Sequence, residues 1–86
     1  MNPRPLDLVL EAVYKQIPED FDHRLDIRRE FDDIIESLRY TAPEAQYLRW
    51  EQAVEILVAY VPVGTPWENE IRRIINGEAD YLECLK

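Results

Sequence analysis

The sequence has one cysteine, one histidine and two glycines among 86 residues. Each scarcity removes a class of chemistry. The lone thiol, Cys84, cannot form an internal disulfide. A disulfide-stapled fold is therefore excluded, and a reducing, cytoplasmic compartment is the simpler expectation. Glycines at 64 and 77 alone offer no phosphate-cradling loop. No run reaches the roughly 18 uncharged residues of a membrane span. The apolar start from Leu6 to Val13 is broken by Asp7 and Glu11, unlike the core of a secretory signal. Lysine is also rare, at two residues against eight arginines. Arginine's planar fork suits bidentate pairing with carboxylates, and genome base composition produces the same bias.

Negative charge is what the chain has in quantity. The formal net charge is −8, with 6 basic and 10 acidic residues in the first 43 and 4 and 8 in the rest. The excess is spread evenly, so there is no acidic tail or charge block. Direct binding to nucleic acid rewards clustered Lys and Arg and is disfavoured. Anionic membrane surfaces are disfavoured for the same reason, and a basic protein partner is favoured. The length suits a single helical domain over residues 1–86. A chain this short buries only roughly 60–65% of its unfolded surface, so its core is adequate and not generous.

Apolar spacing predicts an all-α fold, a compact four- or five-helix bundle around a central apolar helix at about 42–61. Thr41 and Glu44 match the S/T-x-x-E capping box. Tyr47, Trp50, Val54, Leu57, Val58 and Val61 then fall on one expected buried stripe, with Glu44, Glu51 and Glu55 as its wet edge. Residues 56–61 are apolar on every side, as in a helix that its neighbours cover. Val, Ile and Tyr also favour strands, but the stripe upstream is continuous and helical in period.

Other segments read as cover. An extended lead-in at Asn2–Pro5, with Pro5 suited to a first helical turn, precedes a helix on Leu6, Val9, Leu10, Val13 and Ile17, which Pro18 closes. After a polar connection, a second helix runs from Asp22 or His23 to Tyr40, burying Ile27, Phe31, Ile34, Ile35 and Leu38. Arg24 falls on that stripe, which points to an irregular first turn. Arg28–Asp32 and Arg29–Asp33 are spaced for ion pairs along this helix. Thr65-Pro66-Trp67-Glu68 repeats the capping box ahead of an inner face of Trp67, Ile71, Ile74 and Ile75. Asn76-Gly77 is a stop, and a last short turn folds Tyr81, Leu82 and Leu85 back.

Reactive constellations are sparse. Asp20, Asp22, His23 and Asp26 are the densest metal-ligand types, yet a helical zinc or di-iron site wants more than one histidine or several converging ligands. Glu30, Asp33 and Glu36 resemble the carboxylates with which all-helical nucleotide pyrophosphohydrolases hold magnesium. The second pair that resemblance requires would be Glu51 and Glu55, whose spacing does not match. Cys84 and His23 are nucleophile and base types, but little near Cys84 in sequence orients it. No catalytic residue, metal site or cofactor is expected, and the chain is not read as an enzyme.

What remains is surface. Asp26, Glu30 and Asp33 share one edge of the second helix, followed by Ser37 and Tyr40. An acidic ridge ending in an aromatic residue suits a partner-binding face, since carboxylates steer basic partners and Tyr is enriched at hot spots. In size, acidity and helicity the chain is similar to immunity proteins against nuclease toxins and to small phage-type inhibitors. Tyr60-Val61-Pro62 resembles the Tyr-Tyr-Pro segment of the colicin-nuclease immunity family over three residues, and the rest does not align. The expected function is a small acidic interaction module that binds and inhibits or regulates a basic partner, such as a nuclease or other nucleic-acid-handling protein. The alternative is a homo-oligomeric, possible homodimeric, assembly subunit without catalytic activity, whose central helix has more apolar surface than one bundle covers.

Overall fold

Leu6, Val9, Leu10, Ala12, Val13 and Ile17 are all buried, which makes the first helix the most enclosed element of the chain. The computed structural model describes residues 5–85, and residues 2–4 of the expected lead-in lie outside them. The described residues form an all-α bundle of five helices with no strand. These are α1 (Leu6–Gln16), α2 (Arg24–Ser37), α3 (Gln46–Tyr60), α4 (Pro66–Ile75) and the single-turn α5 (Tyr81–Cys84). No helix among them is long and apolar enough to cross a membrane.

α1 forms because its apolar residues recur at helical spacing between Pro5, which takes the cap position, and Pro18, which cannot continue the ladder. Its neighbours are α2, α4 and α5. Phe31 and Ile27 from α2 and Ile71 and Ile74 from α4 complete the fully buried centre. Tyr81, Cys84 and Leu85 close one end, while Leu82 stays exposed. Lys15 Nζ donates to the Leu85 carbonyl at 3.1 Å and ties the end of α1 to the far end of the described chain.

The expected short turn between α1 and α2 is present, as Phe21 N–H donates to Pro18 and Arg24 N–H to Phe21, both at 3.1 Å. α2 begins one or two residues after the expected start, and its first residue, Arg24, is half-buried. Its guanidinium covers the Tyr14 ring at 4.2 Å and donates to the Ile17 carbonyl at 3.3 Å. The long aliphatic stem permits this, lying over apolar surface while the charged head stays hydrated. Of the two expected ion pairs within α2, Arg28–Asp32 is made at 2.6 Å, and Arg29–Asp33 is not among those formed by the described residues.

The expected box at Thr41 and Glu44 does not form. α2 tightens into a 3-10 turn at Leu38–Tyr40, and Thr41 caps its end, donating from Oγ1 to the Ser37 carbonyl at 2.7 Å. A second 3-10 turn, Pro43–Ala45, follows, so α3 begins only at Gln46 with no side-chain cap. Thr41 Oγ1, which the box would have accept from Glu44 N–H, accepts from Arg49 Nε at 3.1 Å instead. The second box holds in altered form. Thr65 Oγ1 accepts from Glu68 N–H at 3.2 Å, but the Glu68 carboxylate reaches Gly64 N–H rather than that of Thr65. Gly64 has φ +96°, which a side chain would strain and which aims its N–H at that carboxylate.

α4 ends in a Schellman motif. Gly77 N–H donates to Ile74 at 3.2 Å and Glu78 N–H to Arg73 at 2.7 Å, with Gly77 at φ +81°. The stop expected at Asn76-Gly77 is there.

The largest departure concerns which helix is covered. Leu57 and Val61 are buried as expected, and Trp50 partly so, but Tyr47, Val54 and Val58 are exposed. The fully buried residue of α3 is Ala53. At about 100° per residue, the buried face is rotated by roughly a quarter turn from the expected stripe, toward Ala53, Ile56 and Tyr60. The cause is the packing. α3 lies against α2, whereas α4 and α5 pack on α1, so among the described residues no helix packs closely on the outer side of α3.

Candidate interaction surface

On α2, Asp26, Glu30 and Asp33 occupy the edge that the helical period assigns them. Asp26 Oδ2 lies 3.1 Å from His23 Nδ1 at the helix start. Glu30 and Asp33 are exposed. Ser37 turns inward, donating from Oγ to the Ile34 carbonyl at 2.6 Å. Tyr40 is 83% exposed but belongs to the 3-10 turn, so the α-helical angle no longer sets its direction. The carboxylates are thus brought to one edge, and Tyr40 stands beyond its end.

His23 sits among aromatic rings, 5.8 Å from Phe21 and 5.4 Å from Tyr60, with Phe21 in turn 5.3 Å edge-on to Trp67. The histidine of the acidic loop is exposed and lies against these rings at the surface. No group of three or more His, Cys, Asp or Glu side chains converges as a metal site among the described residues. Cys84 is partly buried in α5 rather than loose, as its place in the sequence had implied. Burial, followed by the charges of Glu70, Asp80 and Glu83, pushes its thiol pKa up, away from the thiolate form a nucleophile needs.

A feature absent from the expected ridge lies on α3. Val54, Leu57, Val58 and Val61 form one wall of a groove whose other wall is Ile71, Arg72, Ile75 and Asn76 of α4. It exists because α3 and α4, though consecutive, are not packed closely on each other. It encloses only about 60 Å³, far below the roughly 300–1,000 Å³ of a small-molecule site. Val58 is 63% exposed on its rim.

Charge is arranged unevenly about this groove. On the α4 side, Arg72 Nε donates to Glu68 Oε2 at 2.6 Å and Arg73 to Glu70 at 3.1 Å. Glu68 is 2% exposed, so the first of these pairs is half buried. On the α3 side, Glu51 and Glu55 are exposed and have no ion-pair partner among the described residues. Glu55 lines three hollows, one with Glu30 and Tyr60 toward α2, one with Trp50, Val54 and Ile75 toward α4, and one with Arg49, Glu51 and Gln52 along α3 itself. It joins the acidic edge of α2 to the apolar groove.

No family model, curated protein or solved structure matches this chain. What it does is argued from this surface alone.

The sequence did carry a signal for which side of α3 faces water. Glu51 and Glu55 are directly opposite Ala53 and Leu57 at 100° per residue. On a helix with apolar residues to spare, the carboxylates locate the wet pole better than the large side chains locate the dry one.

Proposed function

We propose that this chain is a small acidic protein–protein interaction module that binds and inhibits or regulates a basic partner. The observation that carries the reading is the continuity through Glu55. An apolar strip on α3 and α4 adjoins unpaired carboxylates, which continue to Glu30 on α2. Interfaces combine a desolvated apolar centre with a charged rim, and the rim steers encounter. Asp26, Glu30, Asp33 and Tyr40 serve as the outer part of that rim. A nuclease or another protein with a phosphate-binding surface has the required positive field. This reading involves no catalytic group and no cofactor.

A stable homodimer is the second reading, and the exposed Val54, Val58 and Tyr47 favour it. A net charge of −8 on each copy opposes it. Affinity capture from native extract with mass spectrometry, beside light scattering of the pure protein, tests the first against the second. A monomer that captures a basic protein, released by raised salt and lost when Asp26, Glu30 and Asp33 become Lys together, supports the module. A dimer at micromolar concentration with no captured partner supports the subunit.

A further inference from the structure

We infer that the groove between α3 and α4 is a seat for an amphipathic helix of the partner, carrying aliphatic anchors on one face and Lys or Arg along one flank. This rests on the acidic-module reading and assigns to it a site and an occupant. The groove is bounded by two helices and lined by Val54, Leu57, Val58, Ile71 and Ile75. Its α3 wall from Val54 to Val61 extends about 10 Å at the helical rise, the length of two turns of a docked helix. Anchors at i, i+3 or i+4 and i+7 would meet such a wall, the geometry of helix-in-groove recognition.

Charge decides what flanks the anchors. Around α3, Val54 and Val58 lie between the buried face and Glu51 and Glu55, so the carboxylates border the seat along its outer edge. They have no ion-pair partner among the described residues, whereas Arg72 and Arg73 on the opposite edge are already bound to Glu68 and Glu70. The border thus offers uncompensated negative charge and little free positive charge. A cationic flank complements it, and a second copy of this chain, at net charge −8, does not.

The test uses the whole protein and two synthetic peptides of about 18 residues. Both carry leucine at i, i+3, i+4 and i+7, one with lysine flanks and one with glutamate flanks. Binding is followed by anisotropy of labelled peptide at several salt concentrations. Three variants are compared after their helicity and melts are matched to wild type. These are Val58→Asp on the groove wall, Leu25→Asp on exposed α2 surface, and Glu51→Lys with Glu55→Lys.

The lysine peptide should saturate, and the glutamate peptide should bind about tenfold more weakly or worse. Val58→Asp should weaken the lysine peptide by about tenfold or more, and Leu25→Asp should leave it unchanged. The double charge reversal should flatten the salt dependence. Equal losses from Val58→Asp and Leu25→Asp, or no saturation, would overturn the seat. So would a dimer in sedimentation that Val58→Asp dissolves, because a second copy would then hold the groove. Equal binding of the two peptides, lost on Val58→Asp, would overturn the cationic occupant and the acidic-module reading with it. If a captured basic partner ignores Val58→Asp but is lost on reversing Asp26, Glu30 and Asp33, the seat falls and the module reading stands.

Discussion

Arg28 of α2 holds both carboxylate oxygens of Glu11 in α1, at 2.7 and 3.3 Å, and reaches Asp32 with the same guanidinium. It also lies 4.7 Å from the centre of the Tyr14 ring. One side chain therefore clamps two helices, and only its pairing along α2 was legible in the sequence. Hydrogen bonding to Glu11, opposed by burial and assisted by Asp32, raises the guanidinium pKa above its ordinary value.

The sign of that shift sets a pH prediction. The folded chain holds the Arg28 proton more tightly than the unfolded one, so this contribution is whole below arginine's ordinary pKa and lost only above it. Arg28→Ala should lower stability by roughly 1 kcal/mol, because Glu11 and Asp32 are substantially exposed and solvent screens the pairs. The gap between the melting temperatures of wild type and variant should stay constant from about pH 7 to about pH 9. A gap that closed across that range would show that Arg28 is not the group responsible.

Core truncations should rank by enclosure. Leu10 is fully buried in α1, Leu57 is 8% exposed in α3, and Val58 faces outward. Leu10→Ala should cost about 3–5 kcal/mol, Leu57→Ala about 2–3, and Val58→Ala within about 0.5. Urea titrations check the order. A Val58→Ala cost equal to that of Leu57→Ala would place α3 at the centre after all.

The loop before α4 tests two local devices separately. Thr65→Ala removes the hydroxyl that accepts from Glu68 N–H and should cost about 1 kcal/mol. Gly64→Ala should cost roughly 1–2 kcal/mol although a Cβ there would meet nothing within 4 Å, because the penalty lies in the positive φ alone. Thermal melts decide both. A neutral Gly64→Ala would mean the turn relaxes to negative φ.

Cys84 should react slowly. Its burial and its acidic surroundings hold the thiol protonated. Alkylation by iodoacetamide at neutral pH should be slower than for free cysteine and should rise only above the ordinary thiol range. Denaturant should restore the ordinary rate, and Glu70→Gln should speed the folded protein modestly. A folded-state rate matching free cysteine would contradict this placement.

Sequence reasoning succeeded where one residue pattern allowed one neighbour. The stripe of α1, the Ile27, Phe31 and Ile34 core of α2, and the inner Ile71 and Ile74 of α4 are buried as their spacing predicts. The stop at Gly77 follows from backbone conformation alone. It failed where two partners competed. Thr41 matches a cap for the helix that follows and closes the helix that precedes, and local pattern cannot weigh the two. On α3 the apolar residues outnumber what one face can hold, so the side taken inward depended on where α4 settled. That is a tertiary fact. The α2 edge of Asp26, Glu30 and Asp33 was legible as a pattern, while the groove beside it required knowing that α3 and α4 stand apart.

The placement of α1 bears on how the chain is made. Its apolar face is made before α2, α4 and α5, the segments that cover it, and the Lys15–Leu85 contact spans 70 residues. Distant closures are slow because loop entropy precedes any gain from contact. Until α4 and α5 are translated, α1 has only α2 against its apolar face, so the nascent chain carries a half-covered greasy helix.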